Sequence, residues 1–253
     1  MAPSPLALSR AVRRGLRGAA EHLLPSRCFG CGGALRGAQR HGACMACWSS
    51  LVPLRGPVCR CCGIPVPGVV APDAICGRCA VQPLLVDGVL AAVLYEGFAR
   101  SALLRVKKGG RREILESLAG QLEVAARSAH LGFADAVVAV PSPWVRRIRR
   151  GFDPAAVFSG AVSRATGLER RDDLLRVAPG RRIPVKTLSA RERPLEASRG
   201  FQEAGDAGNL RVVLVDDVLT TGATASACAE ALRRAGAVEV RVAVWARTPR
   251  PRF

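Results

Sequence analysis

The sequence contains few aromatic residues and no hydrophobic run long enough to cross a membrane. Phe, Trp and Tyr together make up 4% of the 253 residues, which weakens any interpretation based on rows of base-stacking rings. No apolar run approaches the roughly 20 residues that span a bilayer. The place where a signal peptide would have its apolar core is interrupted by Arg10, Arg13, Arg14 and Arg17. We therefore expect a cytoplasmic protein.

Acidic residues are also scarce, and two common nucleotide-binding motifs are missing. The chain has 20 Asp and Glu against 38 Lys and Arg, a net charge of +18. It contains neither G-x-x-x-x-G-K-[ST] nor a G-x-G-x-x-G after a strand. The basic excess favours polyanionic partners, either phosphorylated small molecules or nucleic acid. Since 49% of the residues are apolar, the chain has enough for a packed core, and its length allows one ordinary domain plus a small one.

The sequence is rich in cysteine. Nine of the ten cysteines lie between residues 28 and 79. Two Cys-x-x-Cys turns supply four thiolates for one tetrahedral zinc ion. Twelve residues separate the first two such pairs and thirteen the last two, and the pairs are Cys28–Cys31, Cys44–Cys47, Cys59–Cys62 and Cys76–Cys79. The spacing predicts a double zinc ribbon with two structural zinc sites, in which the metal supplies much of the folding free energy.

Some choices within the cysteine module stay open from the sequence. Cys61 lies next to Cys62 and is expected to be spare. Interleaved pairing of the four turns remains an alternative, and His41 remains a substitute ligand. Redox chemistry or free thiols are the competing interpretation of the cluster as a whole. Cys228 falls on an apolar helical face outside the cluster, where we expect a core thiol.

Composition along the chain predicts three segments. Residues 1–27 form a basic amphipathic N-terminal segment, 28–82 the double zinc ribbon, and 83–253 the main domain. In the main domain, apolar strand patterns alternate with helical patterns. This alternation predicts an α/β fold, a parallel sheet flanked by helices. Strands are predicted over 86–95, 136–140, 211–215 and 238–245, helices over 98–106, 112–127, 154–165 and 224–235, and irregular structure over 174–208.

One predicted strand–loop–helix unit carries the residues with chemistry. Asp216 and Asp217 follow the apolar run 211–215, and α/β sheets bind ligands beyond the carboxyl ends of their strands. The loop after them opens a helix, where backbone N–H groups and the helix dipole favour a phosphate. Carboxylates beside a phosphate repel it unless they bind ribose hydroxyls or Mg²⁺. The pattern predicts a sugar-phosphate site, whose loop residues are Thr220, Thr221, Gly222, Ala223 and Thr224.

The stretch DDVLTTGAT resembles the phosphoribosyl pyrophosphate (PRPP) motif of type I phosphoribosyltransferases. With the cysteine module in front, residues 20–247 resemble the ComF/GntX-like family of competence-associated phosphoribosyltransferase-like proteins. The resemblance implies a type I phosphoribosyltransferase fold, a flexible loop over the site, and PRPP with Mg²⁺ as ligand. It implies that Asp216 and Asp217 hold the ribose hydroxyls and that the Thr220–Thr224 loop holds the 5′-phosphate.

The resemblance also implies roles for residues outside the DDVLTTGAT stretch. The turn Val140-Pro141-Ser142 resembles the family's pyrophosphate-binding turn, and Lys108 matches a lysine that precedes a glycine in the family. Transfer would displace pyrophosphate at the anomeric carbon of the ribose. Lys186 or Arg193, together with Mg²⁺ and the turn at Ser142, would then stabilise the leaving group.

Departures from the family pattern lie on the substrate side. The family typically has Arg-Gly-Phe-Asn-Gln where this chain has residues 150–154, Arg-Gly-Phe-Asp-Pro, and Asp153 stands at the place of the Asn. The family's Gln and Asn in the following loop are replaced by Val185 and Glu196, whereas Arg193 and Phe201 keep their places. PRPP binding is therefore better supported than transfer to a particular base.

Two functions of different classes follow from these patterns. The first is an enzyme that transfers a phosphoribosyl group and releases pyrophosphate. The alternative is a protein of DNA uptake or processing that binds single-stranded DNA or a competence protein and keeps a non-catalytic PRPP site. Residues 140–200 hold fourteen Lys and Arg against six Asp and Glu, which suits either ligand. A regulator that responds to PRPP without turnover fits both.

Overall fold

The computed structural model describes residues 27–35, 42–68, 71, 73–109, 112–129, 131, 133–179 and 200–249. The chain divides into two compact units, Met1–Ser50 and Leu51–Phe253. This division differs from the boundary predicted between residues 82 and 83, because the third and fourth Cys-x-x-Cys turns pack with the α/β sheet. The predicted N-terminal segment 1–27 lies outside the described residues except for Arg27.

The first unit, as far as it is described, is built around four cysteines. Arg27 and Ala34 form an antiparallel β-bridge, and helix α1 spans Met45–Ser49. The rings of Phe29 and Trp48 meet edge to face, with centroids 6.1 Å apart. Such a small unit has too little apolar core to fold on burial alone, so a metal has to supply much of its folding free energy.

The second unit contains a five-stranded parallel sheet in the order β1-β7-β6-β2-β3. A separate antiparallel pair is formed by β4 and β5. The strands are β1 (Gly88–Leu94), β2 (Ala136–Ala139), β3 (Glu169–Arg170), β4 (Leu175–Val177), β5 (Phe201–Glu203), β6 (Arg211–Leu219) and β7 (Glu239–Arg247). The helices are α2 (Gly77–Val81), α3 (Gly97–Gly109), α4 (Arg112–Ser128), α5 (Trp144–Arg150), α6 (Pro154–Thr166) and α7 (Ala223–Arg234), with a 3₁₀ turn at Asp172–Leu174.

Helices cover both faces of the sheet. On one face the fully buried Trp245 of β7 stacks on Phe158 of α6, with ring centroids 6.2 Å apart. Its indole N–H donates to Gln121 of α4 at 3.1 Å. On the other face α7 packs Cys228 and Leu232 into a buried cluster with alternate residues of β6 and β7. Because side chains alternate across a strand, each central strand buries both of its sets. The predicted α/β fold and the core position of Cys228 are confirmed.

Three features differ from the predicted elements. Strand β6 continues to Leu219 because its pairing with β7 continues as far as Leu219 and Arg247, so the two aspartates lie within the strand and not after it. Helix α5, rich in arginine, was not predicted. The segment expected to be irregular, 174–208, contains β4 and β5, while its residues 180–199 lie outside the described part of the chain. Among the described residues, no helix combines the length and the hydrophobicity that crossing a bilayer requires.

Candidate functional site

The two aspartates lie where β6 extends past its neighbour β2. Strand β2 ends at Ala139, which pairs with Val215, and β6 continues for four more residues beside β7. On the β2 side, the chain turns away at Pro141 and Ser142 before α5 begins. Both strands end at the carboxyl edge of the sheet, where open α/β sheets place their ligands. The predicted pyrophosphate turn and the aspartate pair therefore lie at the same edge.

Asp216 and Asp217 differ in their partners. The Lys107 ammonium lies 2.7 Å from Asp217 Oδ2, while Asp216 Oδ1 accepts the Asp217 backbone N–H at 2.7 Å. Burial, followed by the charge of Asp217, raises the pKa of Asp216 to about 7, against the opposing effects of that N–H and of Lys107. The pair therefore carries more negative charge than its protein partners neutralise, and it suits a cation or hydroxyl donors from a ligand.

A third carboxylate connects the Ser142 turn to this pair. The Ser142 hydroxyl and the Ala155 N–H both donate to Asp153 Oδ1 at 3.1 Å. Burial, with a contribution from the charge of Asp217, raises the pKa of Asp153, while Arg147 opposes the rise. Asp153 is thus the N-cap of α6 and also fixes the Ser142 side chain. This gives a structural role to the residue that departs from the family's Asn.

The loop between β6 and α7 has the features of an anion cradle. Gly222 is the N-cap of α7 and has φ of +86°, a left-handed conformation that favours glycine. The Thr221 hydroxyl accepts the Ala223 N–H at 3.3 Å. Thr220 and Thr221 are exposed, and Thr224 is half-buried. Hydroxyls and the N-terminal end of a 12-residue helix therefore meet at the same edge as the carboxylates.

Lys107 contacts Asp217, and Lys108, which the resemblance assigns to PRPP, stays a prediction. Helix α3 continues to Gly109, so the two lysines lie about 100° apart around it, and Lys108 is exposed. The buried face of this helix includes Leu103, and Lys107 follows Leu103 by four residues. That spacing is the sequence signal that distinguishes the two lysines. The predicted leaving-group residues Lys186 and Arg193 lie outside the described residues, as do Val185 and Glu196.

The eight paired cysteines form two clusters of four. Within each cluster the Sγ atoms all lie within 4.8 Å of one another. Measured Sγ–Sγ distances include 3.6 Å for Cys28–Cys47 and 3.8 Å for Cys62–Cys76. A tetrahedron with Zn–S bonds of about 2.3 Å has S–S edges of about 3.8 Å, so both clusters fit zinc. The turns pair in chain order, not interleaved, as Cys28, Cys31, Cys44 and Cys47 and as Cys59, Cys62, Cys76 and Cys79.

Backbone donors favour the thiolate form of Cys28 in the first cluster. Cys28 Sγ accepts N–H groups from Gly30 at 3.3 Å and from Cys44 at 3.2 Å. Although burial opposes it, backbone N–H donation lowers the pKa of Cys28 to about 6. Cys61 takes a different partner, because its Sγ accepts the Leu84 N–H at 3.2 Å. His41 lies outside the described residues.

Comparison with known proteins agrees with both parts of the chain. Residues 19–80 match the family model of the double zinc ribbon domain, and residues 179–253 match that of the phosphoribosyl transferase domain. The fold and the two cysteine clusters thus define a phosphoribosyltransferase-type domain that carries a double zinc ribbon, and the clusters support structural zinc.

Relatives align over most of the chain. The DNA utilization protein YhgH of Salmonella typhimurium is 30% identical over 213 residues, 82% of this chain and 91% of that protein. YhgH of Escherichia coli K12 is 31% identical over 212 residues, with the same shares. Competence protein F of Haemophilus influenzae is 28% identical over 223 residues, 85% of this chain and 94% of that protein. The chain belongs to the family of YhgH and competence protein F, as its resemblance to the ComF/GntX-like family predicted.

Solved structures resemble the chain only distantly. The glutamine PRPP amidotransferase from Bacillus subtilis is 23% identical with a TM-score of 0.36, over 51% of this chain and 26% of that chain. A purine phosphoribosyltransferase from Pyrococcus horikoshii is 20% identical with a TM-score of 0.31, over 51% of this chain and 71% of that chain. Likeness at this level carries no functional inference.

Proposed function

We propose that the second unit binds PRPP with Mg²⁺ at the edge formed by Asp216, Asp217 and the loop before α7, and that it transfers the phosphoribosyl group with release of pyrophosphate. The observation that carries the proposal is the meeting of three features at one edge of the sheet. These are a carboxylate pair, the turn at Ser142 and the N-terminus of α7. Each suits a different part of a ribose that carries phosphates.

The loop before α7 suits the 5′-phosphate. Exposed hydroxyls of Thr220 and Thr221 flank the helix N-terminus, and the backbone N–H groups there have no partner within the first turn of a helix. The Thr221 hydroxyl can accept the Ala223 N–H, as it does at 3.3 Å, or donate to a phosphate oxygen. Gly222 permits the left-handed turn that opens α7, and it also leaves room for Leu84, since a Cβ there would be 2.5 Å from Leu84 Cδ2.

The carboxylates suit the ribose and a hard cation. Asp216 and Asp217 offer acceptors for two hydroxyl donors, and their oxygens are of the type that Mg²⁺ prefers. Bound Mg²⁺ would neutralise charge on the pyrophosphate. The Lys107 ammonium, 2.7 Å from Asp217 Oδ2, orients that carboxylate. Ser142, held by Asp153, lies on the side of the site where pyrophosphate would leave.

In the proposed transfer the bond between the anomeric carbon and the pyrophosphate oxygen breaks, and the electron pair leaves with pyrophosphate. The acceptor nucleophile forms the new bond to that carbon. Positive charge develops on the ribose, and the nearby carboxylates of Asp216 and Asp217 stabilise it. Lys186 and Arg193 remain proposed partners of the leaving group.

Calorimetric titration of the zinc-loaded protein with PRPP, with and without Mg²⁺, tests the site. We expect saturable binding that needs Mg²⁺ and is lost in the double variant Asp216→Asn/Asp217→Asn. Glu169→Gln/Glu239→Gln is the matched control. It removes the same charge, but Glu169 and Glu239 lie at the amino ends of β3 and β7, on the opposite edge of the sheet. No binding by folded wild-type protein, or equal loss in both variants, contradicts the proposal.

A second candidate function is binding of single-stranded DNA at α5. This helix has the sequence WVRRIRR, and Trp144, Val145 and Ile148 are 65%, 52% and 70% exposed. Exposed aromatic and aliphatic side chains beside arginines are costly unless they meet a partner. Base stacking on Trp144 and phosphate contacts to the arginines would together bind a flexible single strand. The relatives named for DNA utilization and competence favour DNA as that partner.

Anisotropy of a fluorescent oligothymidylate at several salt concentrations tests the second candidate. We expect affinity to fall with salt, and Trp144→Ala to weaken it roughly 5-fold to 150-fold, the loss of one stacked base. Val124→Ala is the control, because Val124 of α4 is similarly exposed at 62% but has no arginine cluster around it in sequence. Equal affinity of wild type and Trp144→Ala would exclude α5 as the binding surface.

A further inference from the structure

Arg247, the last residue of β7, is a buried cation that hydrogen-bonds to backbone carbonyls. The residue is only 5% exposed. The guanidinium donates to the carbonyl of Cys62 at 2.7 Å and to those of Leu219, Thr220 and Thr248 at 2.9, 2.8 and 3.1 Å. Burying a charge is costly unless its surroundings satisfy every donor. A cation placed here therefore fixes the positions of the carbonyls that surround it.

Three of those four carbonyls belong to two segments far apart in sequence. Cys62 is a ligand of the second cysteine cluster, the one formed by residues 59–79. Leu219 is the last residue of β6 and Thr220 begins the loop before α7, and we call the end of the strand together with this loop the phosphate loop (residues 218–222). Arg247 thus joins one metal-binding turn directly to the loop proposed to hold the 5′-phosphate.

Leu84 makes a second, independent connection between the same two segments. Its N–H donates to Sγ of Cys61, in the metal-binding turn, at 3.2 Å. Its side chain lies against the phosphate loop, since a Cβ on Gly222 would be 2.5 Å from Leu84 Cδ2. The next N–H, of Leu85, donates to the Ser226 hydroxyl in α7 at 3.2 Å. The cysteine that is spare as a metal ligand thus has a structural role in this connection.

We propose that the metal-binding turn at Cys59–Cys62 is the platform that holds the phosphate loop in its ligand-binding form, through Arg247 and Leu84. Zinc at the second cluster and the sugar phosphate at the loop then stabilise each other's binding. The identity of that ligand rests on the proposed function, but the platform itself does not. By linkage, the two binding equilibria shift by the same factor.

Hydrogen exchange without any ligand tests the platform. In zinc-loaded protein, we expect Arg247→Lys and Leu84→Ala to speed exchange in residues 216–224, because each variant removes one connection and allows the loop to open locally. Arg241→Lys is the matched control, since Arg241 lies on the same strand but forms a half-buried ion pair with Glu239 and lies over the Phe133 ring. Zinc content by mass spectrometry confirms that both clusters are filled. Unchanged exchange in both test variants overturns the platform.

Zinc affinity with and without PRPP tests the coupling. The full chain with Cys28→Ser/Cys31→Ser carries one zinc, at the second cluster, so competition with a chromophoric chelator reports that site alone. We expect saturating PRPP with Mg²⁺ to tighten zinc binding about 5-fold to 150-fold, Arg247→Lys to reduce the effect, and the double variant Arg247→Lys/Leu84→Ala to abolish it. Equal zinc affinity with and without bound PRPP overturns the coupling. If wild-type protein binds no PRPP at all, the proposed function fails, and the exchange experiment still decides the platform.

Discussion

Replacement of Cys79 by serine is expected to destabilise the whole α/β unit, whereas the same change at Cys47 leaves that unit intact. Cys79 belongs to the second cluster, whose four ligands are at most 4% exposed and pack with Ile64 and Leu84. Structural zinc contributes about 10 kcal/mol or more in apparent binding free energy. Losing one ligand from a cluster inside the core should therefore cost the unit about 3–5 kcal/mol of its free energy of unfolding.

Tryptophan fluorescence during urea unfolding can measure this difference. Trp245 is fully buried in the sheet core, so in a Trp48→Phe/Trp144→Phe background its emission follows the second unit. We expect Cys79→Ser to move the midpoint to much lower urea, and Cys47→Ser to leave it unchanged. A fall of equal size in both variants would show that the second unit depends on the first cluster as well.

Much of the fold and the metal centres could be predicted from local sequence patterns. The runs at 136–139 and 212–215 are continuously apolar because both faces of these strands are buried, so neither set of side chains needs to be polar. The cysteine turns were recognisable because two residues between thiols set the geometry for one ion. Signals for α5 were also present, since Pro143 precedes it and Gly151, with φ of +74°, ends it. Because arginine is so frequent in this segment, it was interpreted by its charge, and no helix was predicted.

The contacts that organise the site depend on tertiary structure and leave little trace in local sequence. Arg247 and Cys62 are 185 positions apart, and nothing in the alternating pattern of β7 marks its last arginine as buried. The choice between Lys107 and Lys108 depended on where α3 ends. The place of the second cysteine cluster in the α/β unit depended on packing against β1 and on Arg247. Local patterns therefore predicted which segments carry chemistry, but not how those segments support one another.

Asp216→Asn is expected to make the protein more stable and a poorer ligand binder, which is the behaviour of a residue kept for function at a cost in stability. Burial and the charge of Asp217 raise the pKa of Asp216 to about 7 from the 3.8 of an ordinary aspartate. At a pH between these two pKa values, the Asp216 carboxyl has lost its proton in the unfolded state but keeps it in the folded state. The free energy of unfolding therefore falls as the pH rises toward 7, and the whole destabilisation by the Asp216 charge is present above pH 7.

Urea unfolding of wild type and Asp216→Asn at pH 5 and pH 8, without added Mg²⁺, checks the sign. We expect the variant's advantage to be larger at pH 8 than at pH 5 by about 3 kcal/mol, since about two pH units separate pH 5 from the folded pKa and each unit is worth about 1.4 kcal/mol. PRPP affinity should fall roughly 10-fold to 100-fold, the loss of hydrogen bonds to a charged group.

Asp217→Asn is the matched control. It relieves the same repulsion but also breaks the 2.7 Å ion pair with Lys107, so little gain is expected. Equal stabilisation by both variants would place the destabilising charge on the pair as a whole and not on the desolvated Asp216.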